Sequence, residues 1–147
     1  MKFLDEKIFK KEDTVKAEKI WTERIAEYKK LYDTVKIRLK KDFLREYEKQ
    51  YFHDYLIVSI FPEKKKNYKY SINVILKHHN DIFRIVYEDV KEFRCNIALG
   101  SSLTRTDLLQ SEILPVDDKH ISHEFTLSGI DENSIFIVCK NISLIKQ

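Results

Sequence analysis

Ile82-Phe83-Arg84-Ile85-Val86-Tyr87-Glu88-Asp89-Val90 reads as an alternating, β-branched strand that leaves through polar residues into an apolar one. Ser134-Ile135-Phe136-Ile137-Val138-Cys139-Lys140-Asn141-Ile142 reads the same way. The only two prolines mark a second match upstream, Ser59-Ile60-Phe61-Pro62 with Glu112-Ile113-Leu114-Pro115. The offset between the copies drifts only at the turns, where added residues cost little. These matches predict a β region over residues 54–147 built as an internal pseudo-repeat, with copies at about 55–99 and 108–147. The expected fold is α+β: a helical lead-in over 1–53 packed on an antiparallel meander of about eight strands, closed into a sandwich or roll.

Upstream of that stretch the period changes to that of a helix. Ala17, Trp21, Ile25, Tyr28, Tyr32, Val35 and Leu39 recur at steps of three and four, and Phe43, Tyr47 and Tyr51 continue the stripe. As one rod, 14–51 would be roughly 57 Å long, longer than a domain of this size is wide. The stripe therefore predicts a break or bend between Asp33 and Asp42, with Asp13-Thr14 as the first start signal and Asp42 as the second N-cap. Trp21 is expected in the core. The rival is one unbroken helix that overhangs and pairs with a second copy, giving a homodimer.

In the β region, Tyr68, Tyr70, Ile72, Val74 and Leu76 share one strand face. Leu56–Phe61 is apolar on both faces, which predicts a central strand, and 62–67 reads as a hairpin loop. Strands follow at 82–87, 90–99, 108–116, 120–128, 134–140 and 142–146. Short links between them require antiparallel pairing. No linker divides the chain, so 1–147 is one domain.

Composition removes several function classes. The chain has 147 residues, 35% of them charged, yet its formal net charge is only +3. So small an imbalance selects neither nucleic acid nor an acidic partner. Only two glycines are present; neither a GxGxxG nor a GxxxxGK[ST] phosphate loop can be written with them. Met1-Lys2-Phe3-Leu4-Asp5-Glu6-Lys7 is acidic where a secretory leader would be apolar. No apolar run approaches the ~18 residues of a membrane span. Cys95 and Cys139 lack CxxC spacing and read as free thiols, so the expected location is a reducing cytoplasm.

The residues able to do chemistry are few, and each has a plainer use. His53-Asp54 supplies a base and an acid where helix gives way to strand. The plainer use is an imidazole at the helix C-terminus and an Asp bonded to local backbone. His123 shares a face with Ile121, Phe125 and Leu127, so it is expected inside, bonded to a backbone carbonyl. The sharper alternative joins His53, Asp54 and His123 around one metal, as in a small metal-dependent hydrolase. His78-His79 sit at a turn, and neighbours on a strand point to opposite faces, so joint ligation is not expected. Gly100-Ser101-Ser102-Leu103-Thr104-Arg105-Thr106-Asp107 concentrates hydroxyls and a guanidinium, which can hold an anion or simply face water. Lys64-Lys65-Lys66 beside Tyr68 and Tyr70 resembles a single-strand nucleic-acid surface, but alternation assigns the tyrosines to the apolar face. The binding candidates are His53, Asp54, His123, Ser101, Ser102 and Arg105. No catalytic residue, metal ligand or cofactor is assigned.

Tyr51-Phe52-His53-Asp54-Tyr55, at the exit from a charged helical region into a strand, resembles a junction in small uncharacterised α+β proteins of Gram-positive bacteria. Ile85–Phe93 and Ile121–Leu127 are similar to strand motifs of the same group. These are domains of unknown function, some related to immunity proteins of polymorphic toxin systems. The resemblance implies a cytoplasmic, non-enzymatic protein that binds another protein. From the residues themselves, neither nucleic acid nor a membrane is expected as a partner.

Overall fold

The computed structural model describes residues 1–4, 9, 12–97, 107–128 and 133–147. Two helices, α1 (Thr14–Lys36) and α2 (Lys41–Gln50), precede eight strands. These are β1 (Leu56–Lys64), β2 (Tyr70–His78), β3 (Asp81–Glu88), β4 (Glu92–Asn96), β5 (Leu108–Pro115), β6 (Ile121–Leu127), β7 (Ser134–Cys139) and β8 (Asn141–Lys146). All pairings are antiparallel and the class is α+β, as the two periods predict.

The first helix begins where its cap residue predicts. Asp13 is extended and its Oδ1 accepts the Lys16 N–H at 3.1 Å. The predicted break is present, since α1 stops at Lys36 and α2 starts at Lys41, which overturns the unbroken-helix alternative. No glycine or proline makes the break; Val35, Leu39 and Phe43 are all buried across it, and a straight helix would carry the later ones past the core. The stripe is thus spent on the chain's own interior. Three of its members are exceptions: Ile25 and Tyr51 are exposed, and Trp21, expected in the core, is half-buried against Phe9, ring centroids 5.6 Å apart. The second N-cap is Lys40 and not Asp42, which lies in the first turn and binds Arg45 at 3.3 Å.

The strands form two four-stranded sheets, ordered β1-β2-β3-β8 and β4-β7-β6-β5. A simple meander would keep neighbours in sequence together throughout. Here each sheet takes three consecutive strands from one half of the chain and its fourth from the other. The crossing points are Glu88-Asp89, with Asp89 at φ 52°, and Lys140. They are stitched to each other and to the sheets: Lys140 N–H donates to the Glu88 carbonyl at 3.0 Å, Lys91 N–H to Val138 at 2.8 Å and Val90 N–H to Tyr70 at 3.0 Å.

β1, expected in the middle of a sheet, is an edge strand. Its two-sided apolar character has a local cause. The register slips between Ile57 and Ser59, a bulge that throws Val58 into solvent. Pro62, which cannot donate to a ladder, suits an edge. β5 is likewise an edge strand; it carries Pro115 and a slip between Leu108 and Gln110 that exposes Leu109.

Ile72, Val74, Leu76, Phe83, Ile85, Tyr87 and Ile142 of the first sheet join Ile113, Ile121, Phe125, Ile135 and Ile137 of the second in one buried cluster, together with Tyr28, Tyr32, Val35, Phe43 and Tyr47 of the helices. Each fully buried side chain of this kind contributes about 1.5–3 kcal/mol. α1 runs along β5 and α2 along β8. The β5 edge is capped where the Tyr28 hydroxyl accepts the Ile113 N–H at 3.2 Å. On the other face of β5, the buried Glu112 carboxylate accepts the Lys2 and Phe3 N–H groups at 2.9 and 3.0 Å. The Met1 ammonium meets Glu124, directly opposite Glu112, at 3.0 Å. Burial raises the pKa of Glu112, opposed by those N–H groups and the ammonium. No described helix is long and apolar enough to cross a membrane.

Candidate binding cleft

The junction Tyr51-Phe52-His53-Asp54 turns the chain from α2 into β1 through left-handed backbone. Tyr51, Phe52 and Asp54 have φ of 53°, 58° and 65°. Without glycine each is disfavoured by about 1–2 kcal/mol, so tertiary contacts must hold them. Phe52 is wholly buried. The Tyr51 N–H reaches the Tyr47 carbonyl at 2.6 Å, His53 N–H the Gln50 carbonyl at 2.8 Å, and Asp54 N–H the Leu108 carbonyl at 2.9 Å. The last bond ties the turn to the start of β5, one residue before the bulge.

Between this turn, the β5 bulge and α1 lies a cleft of about 290 Å³. Ile25, Tyr51 and Leu109 line it as exposed apolar groups, while Gln50, Gln110 and His53 add polar ones. Tyr28 and Ser111 lead inward from it. Behind them runs a buried chain of hydroxyls and one imidazole. His123 Nε2 is 2.6 Å from Ser111 Oγ, and its Nδ1 is 2.9 Å from Tyr87 Oη. Ser111 Oγ is 3.3 Å from Tyr47 Oη, which stands 3.4 Å from Tyr28 Oη.

Serine, histidine and an orienting hydroxyl have the composition of an activated nucleophile, but the protons run the wrong way. Among the described residues, Tyr87 Oη bonds only to Nδ1, so its proton belongs there. His123 then carries its own proton on Nε2 and donates to Ser111. Ser111 donates to Tyr47, and Tyr47 to the Ser111 carbonyl at 3.2 Å. A general base must accept from the nucleophile; here it donates. Complete burial holds the His123 pKa down to about 3 and raises those of Tyr47 and Tyr87; partial burial raises that of Tyr28. The set is a neutral clamp joining both helices to both sheets.

The sequence candidates are placed as follows. His53 and Asp54 are exposed and bind each other, Nδ1 to Oδ2, at 3.0 Å. His123 is buried as expected, but its partners are side-chain hydroxyls and not a backbone carbonyl. The three do not gather, and among the described residues no group of three or more His, Cys, Asp and Glu could hold a metal ion. His53, Asp54 and His123 therefore do not form such a group. Ser101, Ser102 and Arg105 lie outside the described residues. His78 and His79 stand with ring centroids 4.2 Å apart, because φ of 53° at His79 breaks strand alternation. His78 also stacks on Tyr55 at 4.3 Å and accepts from Gln50 Nε2 at 3.1 Å; desolvation, then His79, lowers its pKa. Sequence reading missed Ser111, Tyr28, Tyr47 and Tyr87. The available signal was a serine on the inward side of an apolar strand, together with buried phenols that each need a partner.

No family model and no curated protein matches the chain.

Proposed function

We propose that the chain is a non-catalytic protein-binding module that receives an apolar side chain of a partner protein in this cleft. The observation that carries the proposal is the rim: Ile25, Tyr51 and Leu109 are all solvent-exposed around one concavity. Strained backbone and a bulge, features that concentrate at functional sites, put two of them there. The volume lies at the lower bound for small-molecule pockets and suits a single bulky anchor. Gln50, Gln110 and His53 offer hydrogen bonds to the main chain flanking that anchor. The relay behind the cleft stiffens it without supplying a nucleophile. A cytoplasmic setting is in keeping with two free cysteines, one of them exposed. An immunity-type role, with the anchor supplied by a cognate toxin, is the partner class implied by the resemblance of Tyr51–Tyr55.

The test is a photo-crosslinking residue at position 109 in the native host. A single captured protein, lost on Ile25→Glu and retained on Val15→Glu, supports binding at the cleft. Capture no stronger than from the same probe at position 15 refutes it. So does hydrolysis of an ester or peptide substrate that disappears on Ser111→Ala.

A further inference from the structure

The free edge of β5 is closed at two points and open between them. Along an antiparallel pair, residues that bond across to the partner alternate with residues whose main-chain groups point away from it. The Ile113 N–H goes to the Tyr28 hydroxyl, and the Ser111 carbonyl accepts from the Tyr47 hydroxyl. Ser111 and Ile113 therefore both turn their main chain away from β6, which leaves Gln110, Glu112 and Leu114 to bond to Thr126, Glu124 and Ser122 opposite them. The hairpin end agrees: Val116, in step with Leu114, donates its N–H to the His120 carbonyl at 3.0 Å. At the other end, Leu108 gives its N–H to the Tyr55 carbonyl and takes the Asp54 N–H, both at 2.9 Å.

One outward group is left over. Among the described residues the Ser111 N–H meets no acceptor. Ser111 is 2% exposed, and a main-chain N–H buried without an acceptor is costly. Its position supplies the remedy, because Leu109, Gln110 and Ser111 line the cleft in succession. The Ser111 hydroxyl is engaged inward with His123 and Tyr47, so what this residue offers the cleft is its main chain. A donor beside the exposed apolar groups of Leu109 and Tyr51 matches the two recognisable parts of an extended peptide residue, its carbonyl and its side chain. Tyr55 blocks the edge on one side and Tyr28 on the other, so a whole strand cannot add there; one donor takes one carbonyl.

We propose that the Ser111 N–H receives a main-chain carbonyl of an extended segment of the partner protein, whose adjoining apolar side chain fills the cleft. This rests on the reading of the cleft as a protein-binding site, and adds to it the hydrogen bond that orients the bound segment.

Amide-resolved NMR tests it, with N-acetyl-leucine methylamide as the probe, titrated into the tens of millimolar because a single small anchor binds weakly. In the free protein the Ser111 amide is expected to exchange with solvent at least about tenfold faster than those of Gln110 and Glu112, which bond to β6. The probe is expected to move the Ser111 amide proton downfield and to slow its exchange, with accompanying shifts at Leu109 and Tyr51. All of these effects vanish in Leu109→Glu, and Ile25→Glu is the second variant should the first fail to fold. A Ser111 amide that exchanges as slowly as Gln110 and Glu112 overturns the proposal. So does a probe that shifts Leu109 and Tyr51 but leaves Ser111 unmoved; that result removes the carbonyl contact alone and leaves the apolar cleft standing. A probe that moves none of the three overturns it as well.

Discussion

His123 sits at the centre of the interior with hydroxyl partners and no counter-charge. Its inward direction was legible from the face it shares with Ile121 and Phe125. Its partners were not, because Tyr87 and Ser111 belong to separate strands that only the fold brings together. Keeping the ring neutral has a pH consequence. The unfolded chain takes up the proton near 6.5, whereas burial holds the folded pKa at about 3. Stability therefore falls as pH drops from 6.5 toward 3, by at most about 1.4 kcal/mol per pH unit from this group. His123→Gln keeps one donor and one acceptor but cannot titrate. It is expected to cost about 1–3 kcal/mol at neutral pH through poorer hydrogen bonding and to flatten the acid limb over that window. Urea denaturation across the pH series measures both effects, and an unaltered acid limb would show that His123 is not its source.

At the scale of elements, periodicity set helix and strand correctly, and composition misread two local details. Asp42 has the chemistry of an N-cap, but the helix starts earlier because Phe43 must face the core within its first turn. The cap therefore fell to Lys40, which makes no side-chain capping bond. Lys40→Ser should stabilise α2 by about 0.5–2 kcal/mol, since the ion pair it gives up, 3.8 Å to Glu88, is exposed and contributes little. A thermal melt no higher than that of the wild type would count against the observed cap. β1 is the second detail. An apolar run on both faces reads as a central strand, but the bulge at Val58 and the sheet face bearing Phe61 account for its outward apolar groups. Burial pattern alone does not separate an edge strand with an exposed apolar face from a strand covered on both sides.

At the scale of the molecule, the governing feature is the exchange of β4 and β8 between the sheets. Neither half of the chain completes a sheet by itself. β8 covers the β3 edge and contributes Ile142 to the common core. A fragment of residues 1–97 would leave that edge bare and the core open. It is expected to show no cooperative thermal transition alone, and to regain one when mixed with 107–147. A sharp transition of 1–97 by itself, followed by far-UV circular dichroism, would contradict this. The cleft is coupled to both sheets separately, through the relay that runs from α1 and α2 by way of β5 and β6 to β3.

What the amino-acid order determined by itself is what depends on near neighbours: the 3.6 and 2.0 periods, the Asp13 cap, the break before α2, and the antiparallel pairing forced by short links. Those features involve contacts a few residues apart, and their signals lie within one window of sequence. The tertiary structure alone decided which strand pairs across the sheets, which residue bonds to His123, and that Ile25, Tyr51 and Leu109 meet around one cleft. Each of these joins segments far apart in the chain, and which of them meet is decided by the competition of all segments for the same core.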